Sequence, residues 1–131
     1  MELNNKNDSS FPFLGKYSCS VDATVDVIGG KWKSVIVYHL LDGKKRFNEL
    51  KRLNAGISQR MLTLQLRELE ASGIIHREVY REVPPKVEYS ITEFGESLRP
   101  LILFMREWGI KNMEKVLENR EKHEIQNSND N

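Results

Sequence analysis

Apolar residues recur at helical spacing along much of the chain, and glycines interrupt the pattern. Val21, Val25 and Ile28 lie three or four positions apart, and Gly29–Gly30 follows them directly. Glycine commonly ends a helix, and a serine hydroxyl accepts hydrogen bonds from the free amides at a helix start. This spacing therefore predicts a helix that begins with Ser20 as its N-cap and ends at Ile28.

Two shorter helices are predicted next, over residues 31–41 and 46–53, with Asp42–Gly43 between them. A tight turn follows, in which Gly56 is expected to adopt a positive φ and Ser58 to cap the next helix. The residues of the two short helices that are predicted to face inward are Trp32, Val35, Ile36, Leu40, Phe47, Leu50 and Leu53.

The segment SQRMLTLQLRELEASG has the clearest amphipathic pattern. Leu62, Leu66 and Leu69 fall within a narrow arc at about 100° per residue, which predicts a core-facing stripe. Arginine binds guanine or phosphate, and threonine and leucine methyls contact thymine methyls, so the outer face suits DNA. The alternative is an ordinary solvated surface. The outer face consists of Arg60, Thr63, Leu64 and Arg67, with Ser58 and Gln59 at its N-terminal end.

After Gly73 the hydrophobic period changes from helical to alternating. IIHREVY is predicted as one strand, and VEYSI as a second with Val87, Tyr89 and Ile91 facing inward. The connection REVPPK is predicted as an exposed hairpin tip, because prolines there lose no ladder hydrogen bond. Its cations, Arg81 and Lys86, are predicted to contact DNA phosphates, as are Lys44, Lys45 and Arg46 ahead of the third helix.

A long final helix is predicted after Thr92, with a bend caused by Pro100. Its apolar stripe exceeds what so small a core needs, which indicates contact with a partner chain. The residues predicted at that dimer interface are Val21, Val25, Leu101, Met105 and Trp108. Residues 1–14 are predicted as a flexible leader, 15–117 as the folded domain and 118–131 as a polar, disordered C-terminal tail.

Charge is distributed unevenly along the chain. The net charge of the whole chain is +1, but residues 31–67 contain nine basic residues against two acidic ones, a local net charge of +7. Such a stretch favours a surface that faces a polyanion, although a solvated helix face would have the same composition.

Several function classes are disfavoured by composition. The apolar runs are shorter than the roughly 18 residues of a membrane span, and a single cysteine suits a reducing compartment. We therefore expect a cytoplasmic protein without membrane association. His39, His76 and His123 lack metal-ligand spacing, so neither a metal nor another cofactor is expected. Because no catalytic constellation or glycine-rich phosphate loop is found, the chain is not expected to be an enzyme.

The order of elements predicts a fold class that is mainly α, with a small β-hairpin as a wing. Two helices, a helix-turn-helix, a hairpin and a final helix make a winged helix-turn-helix with N- and C-terminal dimerisation helices. In this fold the second helix of the helix-turn-helix enters the major groove. Because the basic stretch coincides with the outward face of that helix, double-stranded DNA is the predicted partner.

Longer motifs carry a resemblance to a known family. CSVDATVDVIGGKWKSVIVYHLLDGKKRFNELKR, ISQRMLTLQLRELEASGII, VPPKVEYSITEFGESLRPLI and the later EWG resemble the HxlR-type family of bacterial winged-helix transcription regulators, which are related to the MarR group. The similarity covers residues 19 to about 115. It implies a homodimer on operator DNA, with ISQRMLTLQLREL as recognition helix and VPPK as wing tip.

The resemblance also implies a role for the lone cysteine, Cys19. Several family members use a cysteine just ahead of the first helix as a thiol switch for oxidants or electrophiles. The family often has proline directly after it, whereas this chain has Ser20. The free amides of a helix start favour a thiolate, and Lys16 adds to this while Asp22 opposes it. The alternative is a small packed side chain.

The sequence thus predicts a homodimeric DNA-binding regulator, with repression as its expected role, that responds to oxidants or electrophiles through Cys19. A small thiol or the same cysteine of the other subunit would be the partner in a disulfide. Three alternatives stay open: a small ligand in a pocket at the dimer interface, lined by tryptophan and methionine, with Cys19 merely structural; a regulator without an effector; or a winged-helix protein-interaction module that ignores DNA.

Overall fold

The computed structural model describes residues 15–130; the predicted leader, 1–14, lies outside the described residues. The part up to Ser97 and the part from Leu98 form two compact units. Within the described residues nine helices, strands and turns follow one another. In chain order they are α1 (Ser20–Ile28), α2 (Lys33–Leu40), β1 (Lys45–Arg46), α3 (Phe47–Leu53), α4 (Gln59–Ala71), β2 (Ile75–Tyr80), β3 (Lys86–Ile91), a 3-10 turn (Gly95–Leu98) and α5 (Arg99–Asp130).

The core of the first unit lies where α2, α3 and α4 pack together. Buried side chains come from α2, from Leu50 of α3 and from the three leucines of α4. On α2 the prediction was partly wrong, because Val37 is buried whereas Val35 is 39% exposed. Leu53, which was predicted to face inward, is also exposed. A helix of eight residues has too few turns for its spacing alone to decide which of two valines two positions apart is buried.

The helix-turn-helix is formed by α3, a short turn and α4. Gly56 has a φ of +90°, as its place in the turn predicted. Ser58 is the N-cap of α4 and its hydroxyl oxygen accepts a hydrogen bond from the Met61 amide at 3.0 Å. Leu62, Leu66 and Leu69 are buried. The predicted start and buried face of this helix are therefore confirmed.

The wing is a three-stranded antiparallel sheet in the order β1-β3-β2. The predicted hairpin is present, with Ile75 opposite Ile91 and Tyr80 opposite Lys86. Sequence analysis missed β1, whose Lys45 pairs with Tyr89. Two residues are too few to show an alternating pattern, so this strand is detectable only from its pairing. The architecture is nevertheless the mainly helical, winged one that was predicted.

The segment between the wing and α5 differs from the prediction. Thr92 caps a 3-10 turn: its hydroxyl accepts from the Gly95 amide at 2.8 Å and donates to the Gly73 carbonyl at 2.6 Å. Because α5 begins only at Arg99, Pro100 lies in the first helical turn, where proline removes no intrahelical hydrogen bond. Pro100 is therefore not an interior proline, and the reason for predicting a bend no longer holds.

The prediction of a disordered C-terminal tail was wrong as far as Asp130. Helix α5 runs for 32 residues and includes the polar stretch that begins at residue 118. Extending an existing helix costs far less than starting one, so a polar sequence can continue it. Side chains one turn apart support this part, such as Asn127 and His123 at 3.1 Å. Within residues 15–130, none of the helices has the length and apolarity to span a membrane.

Candidate nucleic-acid interface

The outward face of α4 is a basic, solvent-accessible surface. Arg60, Leu64 and Arg67 are exposed and Thr63 is half-buried, while the opposite side of the helix is anchored in the core. The Thr63 hydroxyl donates to the Gln59 carbonyl at 2.9 Å, which leaves its oxygen lone pairs as acceptors. An open groove of about 830 Å³ runs along this face, lined by Ser58, Gln59, Arg60, Met61, Thr63, Leu64 and Arg67.

The basic residues ahead of α3 differ in how closely neighbouring groups of the protein bind their side chains. The Lys45 ammonium donates to the Asp42 carboxylate at 2.8 Å and to the Gly43 carbonyl at 3.3 Å. That hydrogen bond and the lysine charge lower the pKa of Asp42. Lys45 is thus largely occupied within its own turn. Lys44 and Arg46 are exposed, although the Lys44 ammonium lies 3.7 Å from the Glu88 carboxylate. The Arg46 amide donates to the Glu49 carboxylate at 3.1 Å.

The predicted wing contacts also divide into one exposed and one engaged cation. Arg81 is exposed at the hairpin tip. The Lys86 ammonium lies 4.9 Å from the centre of the Tyr80 ring and 3.7 Å from the Glu88 carboxylate. Burial acts to raise the pKa of Glu88, but the Tyr80 hydroxyl and the nearby lysines outweigh it, so the net shift is downward. Glu88 therefore stays ionised and partly neutralises the wing.

One basic residue of this surface was missed by sequence analysis. Arg77 of β2 lies opposite Tyr89 and ion-pairs with Glu70 of α4 at 3.8 Å. Together with Arg67 it lines a small cavity of about 190 Å³ between α4 and the wing. Burial raises the pKa of Tyr89. The charges of Arg77 and Arg67 act to lower it, and the charge of Glu70 acts to raise it. The sequence could have indicated this position, because side chains two residues apart in a strand lie on the same face and Arg77 follows the apolar Ile75 by two residues.

Cys19 is the N-cap residue of α1, a position that was predicted for Ser20. It is half-buried and extended, with φ −166° and ψ 175°, and among the described residues its thiol makes no cap hydrogen bond. The Ser18 amide donates instead to the Asp22 carboxylate at 3.0 Å. The Tyr17 hydroxyl donates to Asp26 at 2.8 Å, and this hydrogen bond raises the pKa of Tyr17.

The residues predicted at a dimer interface are all exposed on the single chain. On α1 the exposed fractions are 70% for Val21 and 54% for Val25. On α5 they are 38% for Leu101, 43% for Met105 and 51% for Trp108. Exposed apolar side chains in such number on two helices are unusual for a surface that faces only water.

The residues considered for other chemistry are dispersed. Within residues 15–130 no group of three or more metal-ligating side chains is assembled. His39 is half-buried on α2, and burial lowers its pKa. Trp32 is half-buried, with the Lys31 ammonium 4.7 Å from its ring centre, whereas Trp108 is exposed on α5.

A helix-turn-helix with an exposed basic recognition helix and a wing defines the class of winged helix-turn-helix transcriptional regulators. The chain belongs to the HxlR-like helix-turn-helix family, whose model matches residues 27–117. It is an HTH-type transcriptional regulator, and such regulators bind DNA.

Individual relatives fit the same class. The chain is 64% identical to the HTH-type transcriptional regulator YybR of Bacillus subtilis (strain 168) over 106 residues. The aligned region covers 81% of this chain and 84% of that protein. Its fold is similar to the redox regulator HypR in the reduced form, with a TM-score of 0.72, 66% identity and coverage of 76% of this chain and 97% of that one. The diamide-treated YodB of B. subtilis has a TM-score of 0.59 at 35% identity, over 72% and 95% of the two chains.

Proposed function

We propose that the protein is a homodimeric repressor that binds operator DNA through α4 and the wing and responds to oxidants or electrophiles at Cys19. The observation that carries this proposal is the two-sided character of α4. Three leucines anchor one side, and the exposed side presents Arg60, Thr63, Leu64 and Arg67. A rigidly held helix with cations on its free face suits insertion into a major groove.

The exposed apolar side chains of α1 and α5 support the dimer. A dimer on DNA presents two recognition helices to successive major grooves about 34 Å apart, which calls for a near-palindromic operator. Because both halves must fit at once, a displacement of an ångström or two between subunits weakens binding.

The position of Cys19 supports regulation by thiol chemistry. It lies at the start of α1, two residues before the exposed Val21, and the similar proteins HypR and YodB are described in oxidised and diamide-treated forms. A disulfide would join Cys19 of the two subunits, or Cys19 and a small thiol, since the chain has one cysteine. Diamide takes up the two electrons and two protons that such a pair of thiols releases.

The test is a titration of DNA from upstream of the protein's own gene, followed by fluorescence anisotropy. Arg60→Ala combined with Arg67→Ala should weaken binding at least tenfold, at about 1–3 kcal/mol per base-contacting arginine. Arg120→Ala, an exposed arginine on α5, is the matched control and should bind like wild type. Salt-insensitive binding, or equal loss in both proteins, would contradict the DNA-binding proposal and favour a protein-interaction module.

The same titration tests the thiol response. Diamide should weaken the wild-type affinity about tenfold, or roughly 1.4 kcal/mol, and Cys19→Ala should abolish that change while keeping reduced-state binding. A non-reducing gel separates an intersubunit disulfide from a mixed one. An unchanged affinity after complete oxidation would assign Cys19 a structural role, and the effector would then be a ligand.

A further inference from the structure

One lysine connects three helices of the first unit. The Lys33 ammonium lies 2.6 Å from a carboxylate oxygen of Glu68 on α4. It also donates to the backbone carbonyl of Asp26 on α1 at 3.4 Å. Lys33 itself belongs to the first turn of α2, and its side chain is only 14% exposed. The recognition helix and the helix that begins at Cys19 are thus joined through a single charged group.

The glycine pair of the GGKWK motif explains why Lys33 reaches this position. The Gly29 amide donates to the Val25 carbonyl at 2.6 Å and closes α1, and a β-carbon on Gly29 would overlap that carbonyl. Gly30 has a φ of +77°, which reverses the chain into α2. The Asp26 carbonyl is among the last four of α1, which lack intrahelical partners and attract cations. Lys33 supplies that cation.

The segment that carries the cysteine is attached to the same point. The side chain of Asp26 accepts the hydrogen bond from the Tyr17 hydroxyl at 2.8 Å, while its backbone carbonyl accepts from Lys33. Tyr17 precedes Cys19 by two residues. The buried side chain of α1 is Ile28 at its C-terminal end. The apolar attachment of α1 to the first unit is therefore small, and these polar contacts account for a large share of its positioning.

We propose that Lys33 is a positioning residue that transmits a displacement of α1 to the recognition helix through Glu68. The pair is suited to this because it is short and charged, and because the low exposure of the Lys33 side chain shields it on one side, so solvent screens it less than a pair in which both partners are exposed. A shift of α1 moves the Asp26 carbonyl, and the ammonium that bridges it to Glu68 must follow or release one partner. This inference rests on the proposed thiol response.

The chain offers a closely matched pair of variants for the test. Glu68→Gln and Glu70→Gln each remove one negative charge from α4 at carboxylates of similar exposure, 45% and 41%. Glu70 pairs with Arg77 of the wing instead of Lys33. Any general effect of the lost charge on DNA affinity is therefore shared by both proteins. The informative quantity is the ratio of reduced to diamide-treated affinity in each full-length protein.

We expect Glu68→Gln and Lys33→Met to reduce a tenfold wild-type ratio to less than about threefold. Glu70→Gln should keep the wild-type ratio, and Lys33→Arg, which retains charge and donors, should restore most of it. Far-ultraviolet circular dichroism and thermal unfolding identify any variant that has lost its fold. If Glu68→Gln and Glu70→Gln give the same ratio, the proposal is overturned.

Hydrogen exchange separates this inference from the proposed function. In the reduced proteins without DNA, Glu68→Gln should speed exchange of the α1 amides about five- to tenfold, because the Lys33 ammonium loses its carboxylate partner and keeps at most a weaker bond to a neutral amide oxygen. Glu70→Gln should leave those amides unchanged. Should wild type show no diamide response, the thiol proposal fails, yet this comparison still decides whether Lys33 and Glu68 position α1. Equal exchange in both variants would contradict that link.

Discussion

Helices α1 and α4 both begin after an N-cap residue with extended backbone, but they are held in place in different ways. Helix α4 has a serine N-cap whose oxygen accepts the Met61 amide, and three buried leucines along its length. Helix α1 has Cys19 as N-cap without a side-chain cap bond among the described residues, and its buried side chain is Ile28. Helix α4 is capped at its start and buried along one face, whereas the buried side chain of α1 lies near its C-terminal end.

The difference matches what each helix would do in a regulator. A helix that reads base edges needs a fixed orientation, which buried leucines supply. A helix that responds to chemistry at one residue needs a low cost of displacement, and weakly packed segments have it. The first unit thus holds α4 firmly along one face and α1 more weakly, as the proposed roles of the two helices require. Three predictions test this contrast, from the largest effect to the smallest.

The largest effect should come from the buried face of α4. Leu62→Ala removes a fully buried side chain and should lower the free energy of unfolding by about 3 kcal/mol, because it leaves a cavity. Leu64→Ala, the same change at a side chain that is 46% exposed, should cost less than about 0.5 kcal/mol. Urea unfolding followed by circular dichroism measures both. Similar losses would mean that the outer face is packed as well.

A smaller effect should separate the two N-caps. Ser58→Ala removes the bond to the Met61 amide and should cost about 1 kcal/mol, whereas Cys19→Ala should change stability by less than about 0.5 kcal/mol. Cys19→Ser should instead stabilise the protein, by up to about 1 kcal/mol, because it creates the missing cap. Alanine is therefore the cleaner control for thiol experiments. A large loss in Cys19→Ala would show that the thiol packs.

The smallest effect concerns pH and acts through α2, which contacts both α1 and α4. Burial lowers the pKa of His39 below the 6.5 that is usual for a histidine, so the folded state binds the proton less well than the unfolded chain. Stability from this group is therefore complete above pH 6.5 and falls as the pH drops through that value. His39→Gln should remove part of the loss measured between pH 7.5 and 5.5. An unchanged pH profile would contradict this.

Periodic features were the ones that could be predicted from the sequence. The leucine stripe of α4, the Ser58 cap and the Gly56 turn all depend on neighbours within one or two turns, and the hairpin on strict alternation. Features that depend on distant partners could not be predicted. Strand β1 exists because Lys45 pairs with Tyr89, and the bridge from Lys33 to Glu68 joins residues 35 positions apart. The polar end of α5 has no apolar period, so its helix was missed.

The uncapped start of α1 has a chemical consequence. A thiol is a weak hydrogen-bond acceptor, so Cys19 is a poorer side-chain cap for α1 than a residue with a side-chain oxygen would be. Oxidation of Cys19 to a sulfenic acid would add that oxygen to the capping atom, and the helix start would gain an acceptor. A disulfide at the same sulfur adds bulk and no such oxygen. Two oxidised forms of one side chain should thus affect α1 in opposite directions, the first holding its start and the second pushing it away.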